Sequence, residues 1–238
     1  MLSAENLVKS YRDKPAVNGL SLKVEKGEIV GLLGPNGAGK TTTFYLLVGW
    51  LRPDQGSVRL DDKEITRLPM YRRARLGLGY LPQESSVFRK LTVEDNLTAV
   101  LQFQPLSAQE QKKRRLEVLE KMGLNSLASQ IAGTLSGGER RKVEIARSLV
   151  LNPAYLLLDE PFSGIDPITI EDIRGIIRNL ARSGIGILIT DHNVRETLSI
   201  TDRSYLVFQG KILISGSGPE LVNNPEARRF YLGETFTL

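Results

Sequence analysis

Residues 34–41, Gly-Pro-Asn-Gly-Ala-Gly-Lys-Thr, contain two glycines separated by four residues and followed by Lys40 and Thr41. They lie between a continuous apolar run, residues 29–33, and a stretch with helical character. Glycines let a backbone wrap around an anion with its N–H groups pointing inward, and the following helix presents its positive end. The segment therefore predicts a phosphate-binding loop, in which Lys40 reaches the β- and γ-phosphates of a nucleotide and the Thr41 hydroxyl ligates Mg²⁺. The Lys-Thr pair and the preceding strand argue against a glycine-rich structural turn.

A second apolar run, residues 155–158, ends in two adjacent acids, Asp159 and Glu160. Two carboxylates at the end of a buried strand are costly unless a cation or a reaction uses them. Beside a phosphate-binding loop, we expect Asp159 to hold Mg²⁺ and Glu160 to take the proton of an attacking water. Surface charge or a helix cap is the alternative for such a pair.

Two kinds of strand pattern occur in the chain. The continuous apolar runs at 29–33, 156–158 and 185–189 are typical of strands buried on both faces of a parallel α/β sheet. Residues 20–24 and 58–60 instead alternate apolar and polar side chains, which indicates half-buried antiparallel strands. The sequence predicts a parallel core with a small antiparallel part.

Helices are indicated mainly by their ends. Ser107 and Glu110 form the pattern of a capping box, and Asp166 followed by Pro167 is typical of a helix start. Residues 88–151 show helical signals and no strand pattern. We therefore expect this segment to form a helical lobe inserted into the α/β core.

Composition excludes several other classes of protein. A chain of 238 residues with 41% hydrophobic residues is long enough to bury a core. No apolar stretch approaches the roughly 18 residues of a membrane span, and no secretory signal is visible, so we expect a cytosolic address. The absence of cysteine excludes disulfides and a thiol nucleophile, and the single histidine, His192, excludes most imidazole metal sites.

Residues 135–142, Leu-Ser-Gly-Gly-Glu-Arg-Arg-Lys, place a serine and two glycines at a helix start, a second anion-binding terminus. Alone this would be a flexible turn, but here it resembles the signature motif of ATP-binding-cassette (ABC) ATPases. Further elements of that family follow in order along the chain, namely Tyr11, Gln83, residues 163–166 and His192. The resemblance implies a P-loop NTPase of ABC type, an α/β fold with a parallel-sheet core, an N-terminal antiparallel β subdomain and an inserted α-helical subdomain.

The same resemblance implies one ABC ATPase domain over residues 1–238. Within it, residues 1–87 and 152–218 would form the nucleotide-binding core, residues 88–151 the helical subdomain, and residues 219–238 a C-terminal extension.

The resemblance also implies the residues of an ATP site. Tyr11 would stack on adenine, Gln83 would ligate Mg²⁺ or orient water, and His192 would contact the γ-phosphate and hold the water in line with Glu160. Isolated, such a tyrosine or histidine would be read as an ordinary half-buried or surface residue. The implied catalytic residues are Glu160, His192 and Gln83, and the implied metal ligands are Thr41, Gln83 and Asp159. The implied nucleotide-binding residues are Tyr11, Ala16, Val17, Asn36, Gly37, Ala38, Gly39, Lys40, Thr41, Thr42, Ser136, Gly137, Gly138, Glu139 and Asp166.

In this family the signature helix points away from the phosphate loop of its own chain. The resemblance therefore implies a homodimer in which two chains pack head to tail and each Ser136 closes the ATP site of the other. The dimer would form with ATP and loosen after hydrolysis.

Within the family, the chain is most similar to the ATPases of lipopolysaccharide exporters. The similarity rests on residues 40–45, 79–84 and 190–197 and on the tail Tyr231-Leu232-Gly233-Glu234 followed by Phe236. It implies two transmembrane permease subunits as partners, and a peripheral location on the cytoplasmic face of the inner membrane that depends on those partners alone.

Each permease would insert a short helix into a groove between core and helical lobe. Phe88, Arg89 and Leu91 are the candidates for lining it, the alternative being that Phe88 and Leu91 belong to the core of the lobe.

Other functions share part of this pattern. The ATPase of a branched-chain amino-acid importer has most of the motifs but is not expected to carry the tail, and an ABC ATPase of iron–sulfur assembly would need no permease. The basic clusters at 72–75 and 112–115 have no interleaved aromatic residues, so they are interpreted as solvated helix faces. No nucleic-acid partner is expected.

Overall fold

The computed structural model describes residues 1–12, 14–233 and 235–237. Its strands, in chain order, are β1 (Leu2–Tyr11), β2 (Lys14–Val24), β3 (Ile29–Leu33), β4 (Gln55–Leu60), β5 (Lys63–Glu64), β6 (Leu78–Leu81), β7 (Tyr155–Asp159), β8 (Gly186–Thr190), β9 (Arg203–Phe208) and β10 (Lys211–Gly216). Its helices are α1 (Lys40–Val48), α2 (Met70–Arg75), α3 (Val93–Leu101), α4 (Ala108–Lys121), α5 (Gly137–Leu149), α6 (Pro167–Arg182), α7 (Val194–Leu198), α8 (Gly218–Asn223) and α9 (Pro225–Ala227).

Over the described residues the strands form two sheets. One is antiparallel, in the order β2-β1-β4-β5, and the other has the order β10-β9-β3-β8-β7-β6. In the second sheet β9, β3, β8, β7 and β6 run parallel, with Val30 of β3 opposite Leu188 of β8, and β10 is an antiparallel edge. The predicted α/β fold with a parallel core and a separate antiparallel part is confirmed.

The strands predicted from continuous apolar runs lie at the centre of the large sheet. The prediction at 29–33 coincides with β3, and residues 156–158 lie within β7. The prediction at 185–189 is displaced by one residue from β8, because Ile185 still belongs to the turn after α6, where its N–H donates to Leu180. Every residue of these three strands is buried, as expected for strands covered on both faces.

Helices α3, α4 and α5 occupy residues 88–151, a stretch that is fully described and contains no strand beyond one isolated β-bridge. The predicted capping box forms at the start of α4, where Ser107 and Glu110 each accept the backbone N–H of the other. Asp166 caps α6 as predicted, and Pro167 is its first residue. Local sequence therefore determines where these helices begin.

Three apolar clusters form the core of the described residues. One fills the space between the two sheets, and a second joins helices α3 to α6 to the opposite face of the large sheet. Leu157 faces the first and Leu156 the second, because successive side chains of a strand point to opposite faces. A third packs the C-terminal residues against Leu33 and Leu206. The helical segment thus has no core separate from that of the sheet.

The described residues near the C-terminus pack against the rest of the chain. Tyr231, Leu232 and Phe236 contact the third cluster, whereas Glu234 of the predicted tail motif lies outside the described residues. Among the residues that are described, no helix combines the length and the apolar character needed to cross a bilayer.

Arg73 on α2 is 1% exposed and is the largest of the fully buried side chains described. Its guanidinium donates to the carbonyls of Leu46 and Leu47 at 2.7 and 2.6 Å, and to those of Thr66 and Leu68 at 2.9 Å. Leu46 and Leu47 lie in the last turn of α1, where the carbonyls carry the negative end of the helix dipole. Burial lowers the pKa of Arg73 to about 10, so it stays charged at neutral pH. Arg73 thereby fixes α2 to the end of α1.

Replacing Arg73 by methionine would leave these buried carbonyls without their donor. We expect the free energy of unfolding to fall by about 3 kcal/mol, measured by urea denaturation. Arg72 is the matched control, because it lies on the same helix but is exposed. Arg72→Met should change the free energy of unfolding by less than about 0.5 kcal/mol. Equal losses in the two variants would contradict this role of Arg73.

Candidate active site

The predicted phosphate loop connects β3 to α1. Gly37 and Gly39 adopt φ angles of 77° and 106°, a left-handed region that favours glycine. Lys40 Nζ donates to the carbonyls of Gly34 and Pro35 at 2.6 and 3.1 Å, so the loop curls around its own lysine. Burial lowers the pKa of Lys40, and the charges of Glu160 and Asp159 oppose that effect. The loop is shaped for an anion and carries a cation in its centre.

Asp159 is the last residue of β7 and is 3% exposed. Burial raises its pKa to about 6, and the neighbouring charge of Glu160 adds to the effect. The hydroxyl of Tyr80 donates to Asp159 Oδ2 over 3.4 Å, a long hydrogen bond. A carboxylate buried in this way favours a cation beside it.

Gln83, Glu160 and His192 form one cluster. Gln83 Nε2 donates to Glu160 Oε2 at 2.7 Å, and His192 Nε2 lies 2.6 Å from Glu160 Oε1. These residues follow β6, β7 and β8, three neighbouring parallel strands whose carboxyl ends meet at one edge of the sheet. Glu160 also has a left-handed φ of 50°, and its N–H donates to the backbone carbonyl of Thr190 at 2.7 Å. Both carboxylate oxygens of Glu160 are thus oriented by a partner.

The phosphate loop and the cluster of Gln83, Glu160 and His192 line an open cavity of about 520 Å³, a volume within the usual range of small-molecule sites. It is lined by Tyr11, Ala16, Asn36, Gly37, Ala38, Gly39, Lys40, Thr41, Thr42, Gln83, Asp159, Glu160, Thr190 and His192.

Six of the predicted nucleotide-binding residues lie outside this cavity. Val17 is fully buried between the two sheets, because it follows Ala16 in β2 and its side chain points to the opposite face. The Val17 side chain therefore does not reach the cavity, and its predicted role in nucleotide binding is corrected. The others are the signature residues and Asp166, namely Ser136, Gly137, Gly138, Glu139 and Asp166.

The signature residues begin α5 at a different place. Ser136 is the N-cap of this helix, and Glu139 accepts hydrogen bonds from the Ser136 N–H and hydroxyl at 2.8 and 2.7 Å. Gly137 lines a separate small pocket with Gly164, and Asp166 accepts from the Thr169 N–H at 3.0 Å. A role for these residues in ATP binding would therefore require the cavity of a second chain.

Arg141, which the sequence analysis placed only in the signature run, is 6% exposed. Its guanidinium donates to the carbonyls of Pro82, Asp159, Glu160 and Pro161 at 2.8–3.2 Å. It also pairs at 2.9 Å with the carboxylate of Glu144, one turn further along α5. Arg141 thus ties α5 to the two strand ends that carry Gln83 and Glu160. Its spacing from Glu144, three residues along a helix, was the available signal.

Thr190 also lines the cavity and was not predicted. Its Oγ1 is buried and has no hydrogen-bond partner among the described residues. Its position directly after an apolar run and two residues before His192 was the signal in the sequence.

The cavity also offers oxygen ligands for a cation. Thr190 and Thr41 supply hydroxyl oxygens, Gln83 an amide oxygen and Asp159 a carboxylate, and oxygen ligands of these kinds are the ones that Mg²⁺ prefers. The residues present therefore fit a magnesium ion.

A second concavity, which we call the groove, has a volume of about 940 Å³. It is lined by Gly49, Trp50, Pro69, Met70, Tyr71, Ala74, Tyr80, Pro82, Glu84, Ser85, Ser86 and Arg147.

Of the residues predicted to line the groove, Phe88 lies next to it, with the Arg147 guanidinium 4.3 Å from its ring centroid. Arg89 and Leu91 are not among the residues that line this concavity, and their backbone carbonyls accept from the N–H groups of Gly133 and Ala132. The lining comes instead from Trp50, from α2, from residues at and after the end of β6, and from Arg147 of α5.

A sequence profile of the ABC transporter family matches residues 17–163. The chain is 53% identical over 238 residues to the lipopolysaccharide export system ATP-binding protein LptB of Acidithiobacillus ferridurans, covering 100% of this chain and 99% of that protein. The ATP-binding cassette MJ1267 in its ADP conformation has a TM-score of 0.88 and 30% identity, covering 98% of this chain and 99% of that one. The dimeric cassette MJ0796 in a post-hydrolysis state with ADP and Pi has a TM-score of 0.79 and 25% identity, covering 91% of this chain and 98% of that one.

The chain belongs to the ABC transporter ATPase family. Its activity is the hydrolysis of ATP to ADP and phosphate, coupled to transport, and ATP and ADP are its nucleotides.

A Cβ on Gly39 would lie 2.3 Å from the Ala16 carbonyl oxygen, whereas a Cβ on Gly37 would meet nothing within 4 Å. Gly39→Ala must therefore displace the loop from β2, and we expect it to lower nucleotide affinity about 100-fold or more. Gly37→Ala adds backbone strain alone and should cost about tenfold or less. Titration with a fluorescent ADP analogue measures both. Equal losses would contradict the close approach of Gly39 to β2.

Proposed function

We propose that this chain is the ATP-hydrolysing subunit of a transporter that extracts lipopolysaccharide from the inner membrane for export to the outer membrane. The assignment of ATP hydrolysis rests on one observation. The Glu160 carboxylate lies beside the phosphate loop and is held by Gln83 at 2.7 Å and by His192 at 2.6 Å. The assignment of lipopolysaccharide as the cargo is supported by the 53% identity over the full chain to a lipopolysaccharide export ATP-binding protein.

ATP binds in the cavity with its phosphates on the loop and its adenine against Tyr11. The Tyr11 ring is 49% exposed and borders the cavity, which leaves a face free for stacking. Lys40 exchanges its loop carbonyls for the β- and γ-phosphates, to which it binds more strongly because they are charged. The remaining contacts come from Ala16, Asn36, Gly37, Ala38, Gly39, Thr41 and Thr42.

Glu160 acts as the general base. It takes a proton from a water, the water oxygen attacks the γ-phosphorus, and the oxygen that bridged the β- and γ-phosphates leaves with ADP. Gln83 and His192 keep the carboxylate aimed at that water, and His192 also binds the γ-phosphate. Catalysis in such a site comes mainly from positioning and from charges placed in advance.

Asp159, Thr41 and Gln83 hold Mg²⁺, which neutralises charge on the phosphates when it is bound. Magnesium sites in proteins commonly combine one or two carboxylates with substrate phosphates and water, and this cavity supplies such a carboxylate. The raised pKa of Asp159, about 6, reflects a buried charge that a cation would compensate.

The chain functions as a head-to-tail homodimer. Ser136, Gly137, Gly138, Glu139 and Asp166 lie outside the cavity of their own chain, at helix starts that suit an anion. In the dimer these residues close the ATP site of the partner chain. The dimeric state of the cassette MJ0796 with ADP and Pi supports a dimer as the functional form.

Two transmembrane permease subunits are the partners, and each places a short helix in the groove. The groove offers exposed aromatic side chains, with Trp50 62% and Tyr71 56% exposed, which suit an amphipathic helix. Through these partners alone the chain is held on the cytoplasmic face of the inner membrane.

Glu160→Gln removes the base but keeps the size and hydrogen-bonding capacity of the side chain. We expect ATP hydrolysis to fall about 100-fold or more, with ATP affinity retained and a dimer that persists in ATP on size-exclusion chromatography. Glu171→Gln is the control, because Glu171 is an exposed acid on α6 that pairs with Arg174. An unaltered hydrolysis rate in Glu160→Gln would refute the assignment of the base.

The partners are tested by purifying the tagged chain from native membranes and identifying bound proteins by mass spectrometry. We expect two permeases and bound lipopolysaccharide with the parent chain, and a loss of both with Trp50→Ala. Phe103→Ala serves as control, since Phe103 is 81% exposed and lies outside the groove. Recovery of amino-acid permeases or of soluble scaffold proteins in their place would overturn the proposed cargo.

A further inference from the structure

Tyr80 borders both the groove and the candidate active site. Tyr80 is one of the residues that line the groove, and its hydroxyl donates to Asp159 Oδ2 at 3.4 Å. Tyr80 lies near the carboxyl end of β6 and is opposite Leu157 of the neighbouring parallel strand β7. This position brings it close to Asp159, two residues further along β7. This contact does not involve Gln83, which lies beyond the end of β6 at Leu81.

Trp50, another residue that lines the groove, is also joined to the site. Trp50 follows α1, the helix that starts at Lys40, and its ring centroid lies 4.8 Å from that of Tyr45 on the same helix. Trp50 is the single tryptophan of the chain. Its fluorescence therefore reports on the groove and on the end of α1 that it contacts.

We propose that Tyr80 is a positioning residue that links the filling of the groove to the orientation of the Asp159 carboxylate. A hydrogen bond of 3.4 Å is about 0.6 Å longer than is usual for a hydroxyl donor, so a small movement of the ring strengthens or breaks it. A helix packed on the ring would restrict that movement. Because such coupling is reciprocal, a ligand that engages Asp159 alters the groove in turn. The inference rests on the proposed function for the identity of the groove occupant.

Tyr80→Phe is the test variant, because it keeps the ring in the groove and removes only the hydroxyl. Tyr155→Phe is its matched control. Tyr155 is a buried tyrosine at the start of the neighbouring strand β7, and its hydroxyl donates to Asp61 Oδ1 at 2.9 Å, away from the cavity.

Two measurements on the isolated full chain need no partner protein. The first is the change in Trp50 fluorescence when ATP and Mg²⁺ are added, and the second is the Mg²⁺ concentration that gives half-maximal ATP binding by calorimetry. We expect Tyr80→Phe to reduce the fluorescence change at least about twofold and to raise that Mg²⁺ concentration about fivefold, the effect of one modest hydrogen bond. Tyr155→Phe should match the parent chain in both.

A third measurement uses the chain in its transporter. The ratio of permease-stimulated to basal ATP hydrolysis should fall in Tyr80→Phe and stay unchanged in Tyr155→Phe.

The inference is overturned if Tyr80→Phe behaves like the parent chain in both partner-free measurements. It is equally overturned if both variants change by the same amount, or if the Tyr80 effect follows a loss of folded protein seen by circular dichroism. Failure to recover permeases would refute the proposed function but would leave the partner-free measurements intact, so the two failures are distinguishable.

Discussion

The burial of two adjacent carboxylates at one strand end is the constraint on which the rest of the site depends. Asp159 and Glu160 are 3% and 8% exposed, and an ionised carboxylate removed from water costs several kcal/mol unless other groups compensate. Compensation comes from the opposite charge of Lys40 and from Gln83 and His192, which engage Glu160. The phosphate loop and three strand ends are therefore arranged around one pair of charges, and the cavity is what remains between them.

Much of this arrangement could be predicted from sequence because its signals are local. A glycine-rich loop and a pair of acids each come directly after an apolar run, and His192 comes three residues after another. Parallel strands place their carboxyl ends at one edge of the sheet. Helix starts at Ser107 and Asp166 depend on side chains within three residues. The strand β1 was not predicted, because its positive-φ residue Asn6 and its register shifts interrupt the alternation on which such a prediction relies.

What sequence could not provide depends on contacts between distant parts of the chain. Arg141 belongs to a basic run, and only the approach of carbonyls from residues 82 and 159–161 makes it a buried donor. Val17 was expected among the nucleotide-binding residues, but the pleat of β2 turns its side chain into the core. Likewise, Arg89 was expected to line the groove, whose lining is assembled from Trp50, α2, the end of β6 and Arg147.

The apolar cluster that joins helices α3 to α6 to the large sheet determines how the helical segment can move. If residues 88–151 swung away as a separate body, apolar side chains on both sides of the boundary would enter water, at a cost of about 25 cal/mol for each Å² exposed. Sliding of packed helices across the sheet face keeps those contacts. Any movement of residues 88–151 that opened this boundary would have to overcome that cost, and it would also have to break the hydrogen bonds by which Arg141 of α5 holds the carbonyls of Pro82 and Glu160.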